Sequence, residues 1–184
     1  MSEINPNEPV AFTPAGDEVE TLLSTMDRNR ATFGWKCGGL DAAGMTARLG
    51  PSTMTLGGLV KHMALIEDHY FTAMFAGREM PKAWHAYDGD DWEWRTAADD
   101  TPEELIALWR GAIARSRAAV AEALADDGLD TLAANPTHWG GTLNLRRILA
   151  DLIEEYARHT GHADLLRESV DGLVGEDAPE EWRV

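Results

Sequence analysis

The sequence has a single cysteine, Cys37, so no intrachain disulfide can form and a thiolate-rich structural zinc site is excluded. Cys37 sits between Lys36 and Gly38 and reads as a small buried or loop residue, with an activated thiol as the alternative. Basic residues are scarce: 16 Lys and Arg stand against 32 Asp and Glu, a net charge of −16. Such a surface repels phosphate backbones and anionic headgroups, so neither nucleic-acid nor membrane binding is expected. Long apolar runs are missing too; none approaches the roughly 18 residues a membrane-spanning helix needs. The N-terminal stretch lacks the basic and apolar regions of a secretory signal, which with the lone cysteine points to the cytoplasm. Also absent are GxGxxG, a P-loop, GxSxG and HExxH, and no segment alternates as a β-strand does.

What is present is helical periodicity. Apolar residues make up 44% of the 184 positions, enough for one domain with a single core. Residues 1–16 hold three prolines and read as an extended arm, 17–175 as the folded domain, and 176–184 as an acidic tail with Trp182 as an anchor. Val19, Leu22, Leu23, Met26 and Phe33 mark a first helix over Asp17–Phe33. Glycines then punctuate a long connection, with room for a short helix around Asp41–Arg48. A second helix follows Ser52 or Thr55 as cap and runs to about Ala76, with Leu59, Met63, Ile66, Tyr70, Ala73 and Met74 inward. Gly57 and Gly58 weaken its first turn, which implies close packing or space for a ligand.

Residues 78–100 form a second long connection, carrying Trp84, Trp92 and Trp94, which either plug the core or cover a pocket. Thr101-Pro102-Glu103-Glu104 is a capping box that opens the third helix, which ends near Gly128. The fourth, capped by Thr142, runs to Gly172 with Leu145, Ile148, Leu149, Leu152, Tyr156, Ala163 and Leu166 on one face. Four amphipathic helices with long connections after the first and second predict an all-α four-helix bundle, with a crossover permitted.

On the fourth helix the apolar face gives way to Glu155, His159 and His162. Residues three or four apart share a helix face, so all three cluster. Bundles build metal sites from such inward groups on facing helices. His62 on the second helix completes a set of two imidazoles and one carboxylate, which leaves a position open for water or substrate, as catalytic zinc sites do. Nickel, iron or manganese suit the same donors. Taken singly, each residue has an ordinary explanation as a solvated or hydrogen-bonded group. Jointly they mark a candidate site, because a carboxylate at a core edge is costly unless paired or ligated. His162 is a candidate fourth ligand or general acid/base; His69 is a candidate partner that orients a ligand, or an exposed residue. Arg158 and Arg167 read as surface ion-pair partners of Glu154, Asp164 or Glu168.

The stretches TLGGLVKHMALIEDHYF and LRRILADLIEEYARHTGHADLLRESVDG resemble the DinB/YfiT-like superfamily, and within it the actinobacterial mycothiol-transferase-like branch. That resemblance implies a four-helix bundle with a divalent metal held by one His of the second helix and two ligands of the fourth. His62 falls at the first of these positions, and Glu155 with His159 resembles the Glu-containing pair of mycothiol-dependent maleylpyruvate isomerase relatives. The implied activity is a transferase or isomerase in which the metal, zinc foremost, activates a low-molecular-weight thiol such as mycothiol toward an electrophilic substrate. His162 and His69 would then move protons or orient ligands, while Trp84, Trp92 and Arg158 would line the substrate's place. A stress-associated metal-binding protein without catalysis is the alternative, and pairing as a homodimer is a further implication of the resemblance.

Overall fold

A computed structural model describes residues 13–89 and 91–177. The arm expected at 1–16 and the tail expected at 176–184, with Trp182, therefore lie largely outside the described residues. The chain is an all-α bundle. Its elements are α1 (Glu18–Cys37), α2 (Ala42–Thr46), α3 (Leu56–Glu67), α4 (Trp92–Thr96), α5 (Pro102–Leu124) and α6 (Leu145–Asp171). Among the described residues, β-pairing is limited to one isolated bridge between Leu132 and Asn144, and no helix is long and apolar enough to cross a membrane.

Local chemistry sets the helix ends. Asp17 and Glu20 form a reciprocal capping box at the start of α1, and Thr101 with Glu104 does the same for α5. Thr55, not Ser52, caps α3 by accepting from the Gly58 N–H at 3.0 Å. The cap of α6 is Asn144, which accepts from the Arg147 N–H at 3.0 Å, so the helix starts beyond the expected Thr142. Gly172, at φ +77°, ends it in the left-handed conformation.

Helix α1 runs a turn past the expected Phe33. Gly34 is a packing residue and not a stop: a Cβ there would lie 2.8 Å from the Trp109 ring. The added turn exposes carbonyls that need partners. Arg167 supplies them, donating from Nη1 to the carbonyls of Lys36 at 3.3 Å and Gly38 at 2.7 Å. Arg167 is thus buried: it keeps an ion pair, with Asp171 at 2.8 Å and not with Glu154, Asp164 or Glu168, and the exposed position expected for it is corrected to that of a helix cap. At the other break, α3 continues as a π-helix over Asp68–Phe75, a local widening of the backbone ladder that recurs near functional sites.

Helix directions follow from which residues meet. Glu18 pairs with Arg146 and Lys36 with Asp164, so α1 and α6 run parallel. Lys61 pairs with Asp100 just before α5, and Asp68 pairs with Arg115, so α3 and α5 run parallel. His62 meets His159 and Glu67 meets Tyr156, so α3 and α6 run antiparallel. The order is up, down, down, up. Because α3 and α5 point the same way, residues 76–101 must return along the length of the bundle.

The core contains the expected apolar faces, with Leu145, Ile148, Leu149, Leu152, Tyr156, Ala163 and Leu166 all buried. A polar network runs through it. Glu67, at 0% exposure, accepts from Arg30 Nε and Nη2 at 2.8 Å each and from the Tyr156 hydroxyl at 2.8 Å. The Tyr156 oxygen in turn accepts from Trp109 Nε1 at 2.8 Å. Arg30 also reaches Asp27, which pairs with Arg117. Four helices are joined by these bonds. Burial, with Glu67 alongside, pushes the Tyr156 pKa well above its ordinary value, so the hydroxyl stays protonated and donates.

Replacing Arg30 by Met should destabilise the fold by about 3–5 kcal/mol, because Glu67 is left as a buried, partly unpaired charge. Tyr156→Phe should cost less, about 1–3 kcal/mol, since Arg30 still covers Glu67. Urea unfolding of both variants checks the order; equal losses would show that the charge is not what the network neutralises.

Candidate metal centre

Three ligand-type groups converge where α3 crosses α6. His62 comes from the second turn of α3; Glu155 and His159 lie one turn apart on α6. One ligand atom from each lies within 4.8 Å of the other two. The rings of His62 and His159 meet at 4.9 Å, and His159 Nε2 is 3.2 Å from Glu155 Oε2. The i, i+4 spacing sets the second pair locally; the antiparallel register of α3 on α6 adds the first residue. His159 is buried, while His62 and Glu155 are half-buried, so the cluster lies at the margin of the core and remains reachable.

The outer nitrogens of both imidazoles are engaged. His62 Nδ1 is 2.9 Å from Glu93 Oε1, and His159 Nδ1 is 3.3 Å from His162 Nδ1. A proton on each Nδ1 leaves each Nε2 lone pair for the centre of the cluster. Burial, followed by the positive charges of His62, His162 and Arg158, pushes the His159 pKa down to about 4. At neutral pH this ring is therefore unprotonated, the form that ligates a metal. Burial alone would raise the Glu93 pKa; the hydrogen bond from His62, a backbone hydrogen bond and the charges of His62 and Lys61 together outweigh it and hold the carboxyl below its usual value.

Trp94 covers the other side of His62, stacked at 4.9 Å between ring centroids and 27° between planes. Gly58 makes that approach fit, because a Cβ there would lie 2.7 Å from Trp94 Cε3. Gly57 similarly admits Met45 and Leu105. The glycines at the start of α3 thus serve close packing.

The remaining candidates are dispersed. His162 is half-buried beside His159. Arg158 is exposed on α6, next to the cluster in sequence. His69 is not brought to the cluster; it is exposed, with its ring against Tyr70 at 5.8 Å. Trp84 is also elsewhere: it is buried, and its Nε1 donates to Asp68 Oδ2 at 2.8 Å. Trp92 is half-buried, edge-on to Trp84 and beneath the Lys61 ammonium at 4.5 Å. The tryptophan at the cluster is Trp94, and the carboxylate behind His62 is Glu93. Trp94 is one of the three tryptophans expected to plug the core or cover a pocket, whereas the one signal for Glu93 in the sequence is an acidic residue flanked by tryptophans in a connection. Burial pushes the Cys37 thiol pKa up, leaving it un-ionised and inert, as expected of a buried cysteine.

Two imidazoles and one carboxylate, with donors converging and outer nitrogens held, can take a divalent cation and still leave coordination open. Over residues 21–172 the chain matches the family model described as mycothiol-S-transferase. No curated protein and no solved structure gives a significant match.

The His159 environment makes a prediction for the metal-free protein. Unfolded, this ring titrates near 6.5; folded, near 4. Its contribution is undiminished above about pH 6.5 and is lost as pH falls toward 4, because only the unfolded chain gains the proton in that window. The full loss should be roughly 3 kcal/mol. Urea unfolding between pH 7 and 4 should show a steeper decline for wild type than for His159→Gln, and equal slopes would place the ring in solvent.

Proposed function

The chain belongs to the mycothiol-S-transferase family, and from that premise we propose that it is a divalent-metal-dependent S-transferase joining a low-molecular-weight thiol to an electrophilic small molecule. The observation that carries the metal part is the convergence of His62, Glu155 and His159, with donor atoms within 4.8 Å of one another. The chemistry of that set fits a divalent cation: both imidazoles have Nδ1 engaged, His159 is unprotonated at neutral pH, and the Glu155 carboxylate supplies negative charge. Nitrogen and oxygen donors suit zinc first, with nickel, iron or manganese as alternatives. Bound there, the cation supplies positive charge that lowers the pKa of a thiol and so raises its thiolate fraction at neutral pH.

The chain's own residues have separable tasks in this reading. His62, Glu155 and His159 hold the cation. His162 keeps the proton of His159 on Nδ1 and is placed to pass protons at the rim. Trp94 offers an apolar wall beside His62, and the exposed Arg158 is available to an anionic group of the thiol or substrate. No protein nucleophile is required: the buried, un-ionised Cys37 is not one, and the incoming thiol is the nucleophile. Its sulfur forms the new C–S bond as the electrophile's C–halogen or C–O bond breaks. The S–H proton goes to solvent with a halide, or to the oxygen of an opened epoxide. A thiol kept reduced for this purpose fits a cytoplasmic location.

Metal analysis of the purified protein should find a stoichiometric divalent metal, lost in His159→Ala. The loaded wild type should conjugate mycothiol or a related thiol to a model epoxide or alkyl halide, and the variant should not. Absence of metal from both would refute the reading. Metal without turnover across a panel of thiols would replace it with a metal-binding protein that is not catalytic.

A further inference from the structure

We infer that Glu93 is a positioning residue: its carboxylate, delivered by the returning connection, holds His62 in the tautomer that directs Nε2 toward Glu155 and His159. The inference rests on the metal reading above and adds to it a fourth residue from a different part of the chain.

Three observations carry it. Glu93 Oε1 lies 2.9 Å from His62 Nδ1, which occupies that ring nitrogen. With the proton held on Nδ1, the lone pair is confined to Nε2. Secondly, the segment around Glu93 is fastened on both sides of His62. Trp94 stacks on the imidazole and closes down on Gly58. Lys61, the residue before His62, donates to the Thr96 carbonyl at 3.3 Å and to Asp100 at 2.5 Å, with its ammonium over Trp92. The imidazole is thus held at its edge by Glu93 and on its face by Trp94, which removes its freedom to rotate.

The third observation separates function from packing. Glu93 is buried, yet its Oε2 has no hydrogen-bond partner among the described residues. A carboxylate kept for stability alone has both oxygens satisfied, as those of Glu67 and Asp68 are. One bonded oxygen aimed at a ligand's outer nitrogen is the arrangement by which carboxylates tune metal-bound histidines. On the other imidazole, His162 occupies the matching place, with its Nδ1 3.3 Å from His159 Nδ1.

The test compares wild type, Glu93→Leu and Glu93→Gln. Nitrogen-15 NMR of the metal-free protein reads the His62 ring: wild type should carry its proton on Nδ1, and E93L should shift toward the Nε2–H form. Chelator competition with Zn²⁺ should show E93L binding 10–100-fold more weakly. E93Q keeps an acceptor oxygen without the charge, so it should hold the tautomer and recover part of the affinity. Urea unfolding of metal-free E93L should show a loss no larger than that of the one hydrogen bond to His62, since the other carboxylate oxygen has no partner among the described residues. An unchanged tautomer with unchanged zinc affinity in E93L would overturn the inference. If E93L does not fold, equal zinc affinity of E93Q and wild type would overturn it, and a weaker E93Q would support it. Wild type that takes up no Zn²⁺ would refute the metal reading instead, and the tautomer comparison would still decide whether Glu93 sets the ring.

Discussion

A carboxylate with no exposure to solvent has to find its full complement of hydrogen bonds inside the protein, and Glu67 finds them on two other helices. Arg30 of α1 grips both oxygens, and Tyr156 of α6, itself tied to Trp109 of α5, donates to one. An apolar contact tolerates sliding; these directional bonds do not. Glu67 against Tyr156 therefore fixes the register of α3 on α6. Along the same antiparallel contact, His62 meets His159. The geometry of the candidate metal centre is a consequence of that register, which is why a residue with no part in the site has such influence on it.

The second constraint is topological. Parallel α3 and α5 oblige the chain to travel back along the bundle between them, and the return is used twice. Near one end Trp84 seals the core and donates to Asp68, which is also held by Arg115 and Thr72. Near the other end Glu93 and Trp94 reach His62. The tryptophans of this segment thus divide between plugging the core and walling the site, because the segment spans both regions. A simple up-down-up-down bundle, with a short loop after α3, would have no residue to offer at that place.

Acidic residues outnumber basic ones two to one in the sequence, yet a few cations carry the architecture. Arg30 neutralises Glu67, Arg115 neutralises Asp68, and Arg167 closes the C-terminus of α1. Lys36 is buried as well, paired with Asp164 and set over Trp35. At the centre itself, the imidazoles lean on their surroundings through their outer nitrogens. This leaves the inner donors free for the chemistry proposed for the family's thiol substrate.

The bundle, its four long helices and the pairing of Glu155 with His159 were legible in the residues alone, because helical periodicity and capping boxes are local: they relate positions three or four apart. His62 was legible as a candidate through its place on a second amphipathic face. Other features required the fold. Gly34 reads as a stop, but is a seat for Trp109; Thr142 reads as a cap, but Asn144 is the one that reaches the Arg147 N–H. Arg167 reads as a surface charge, but closes a helix 129 positions away in sequence. Glu67 reads as one more helix carboxylate, and Glu93 as one more acid in a loop. Their roles depend on contacts between segments with no fixed spacing, which only the parallel and antiparallel packing of the helices could decide.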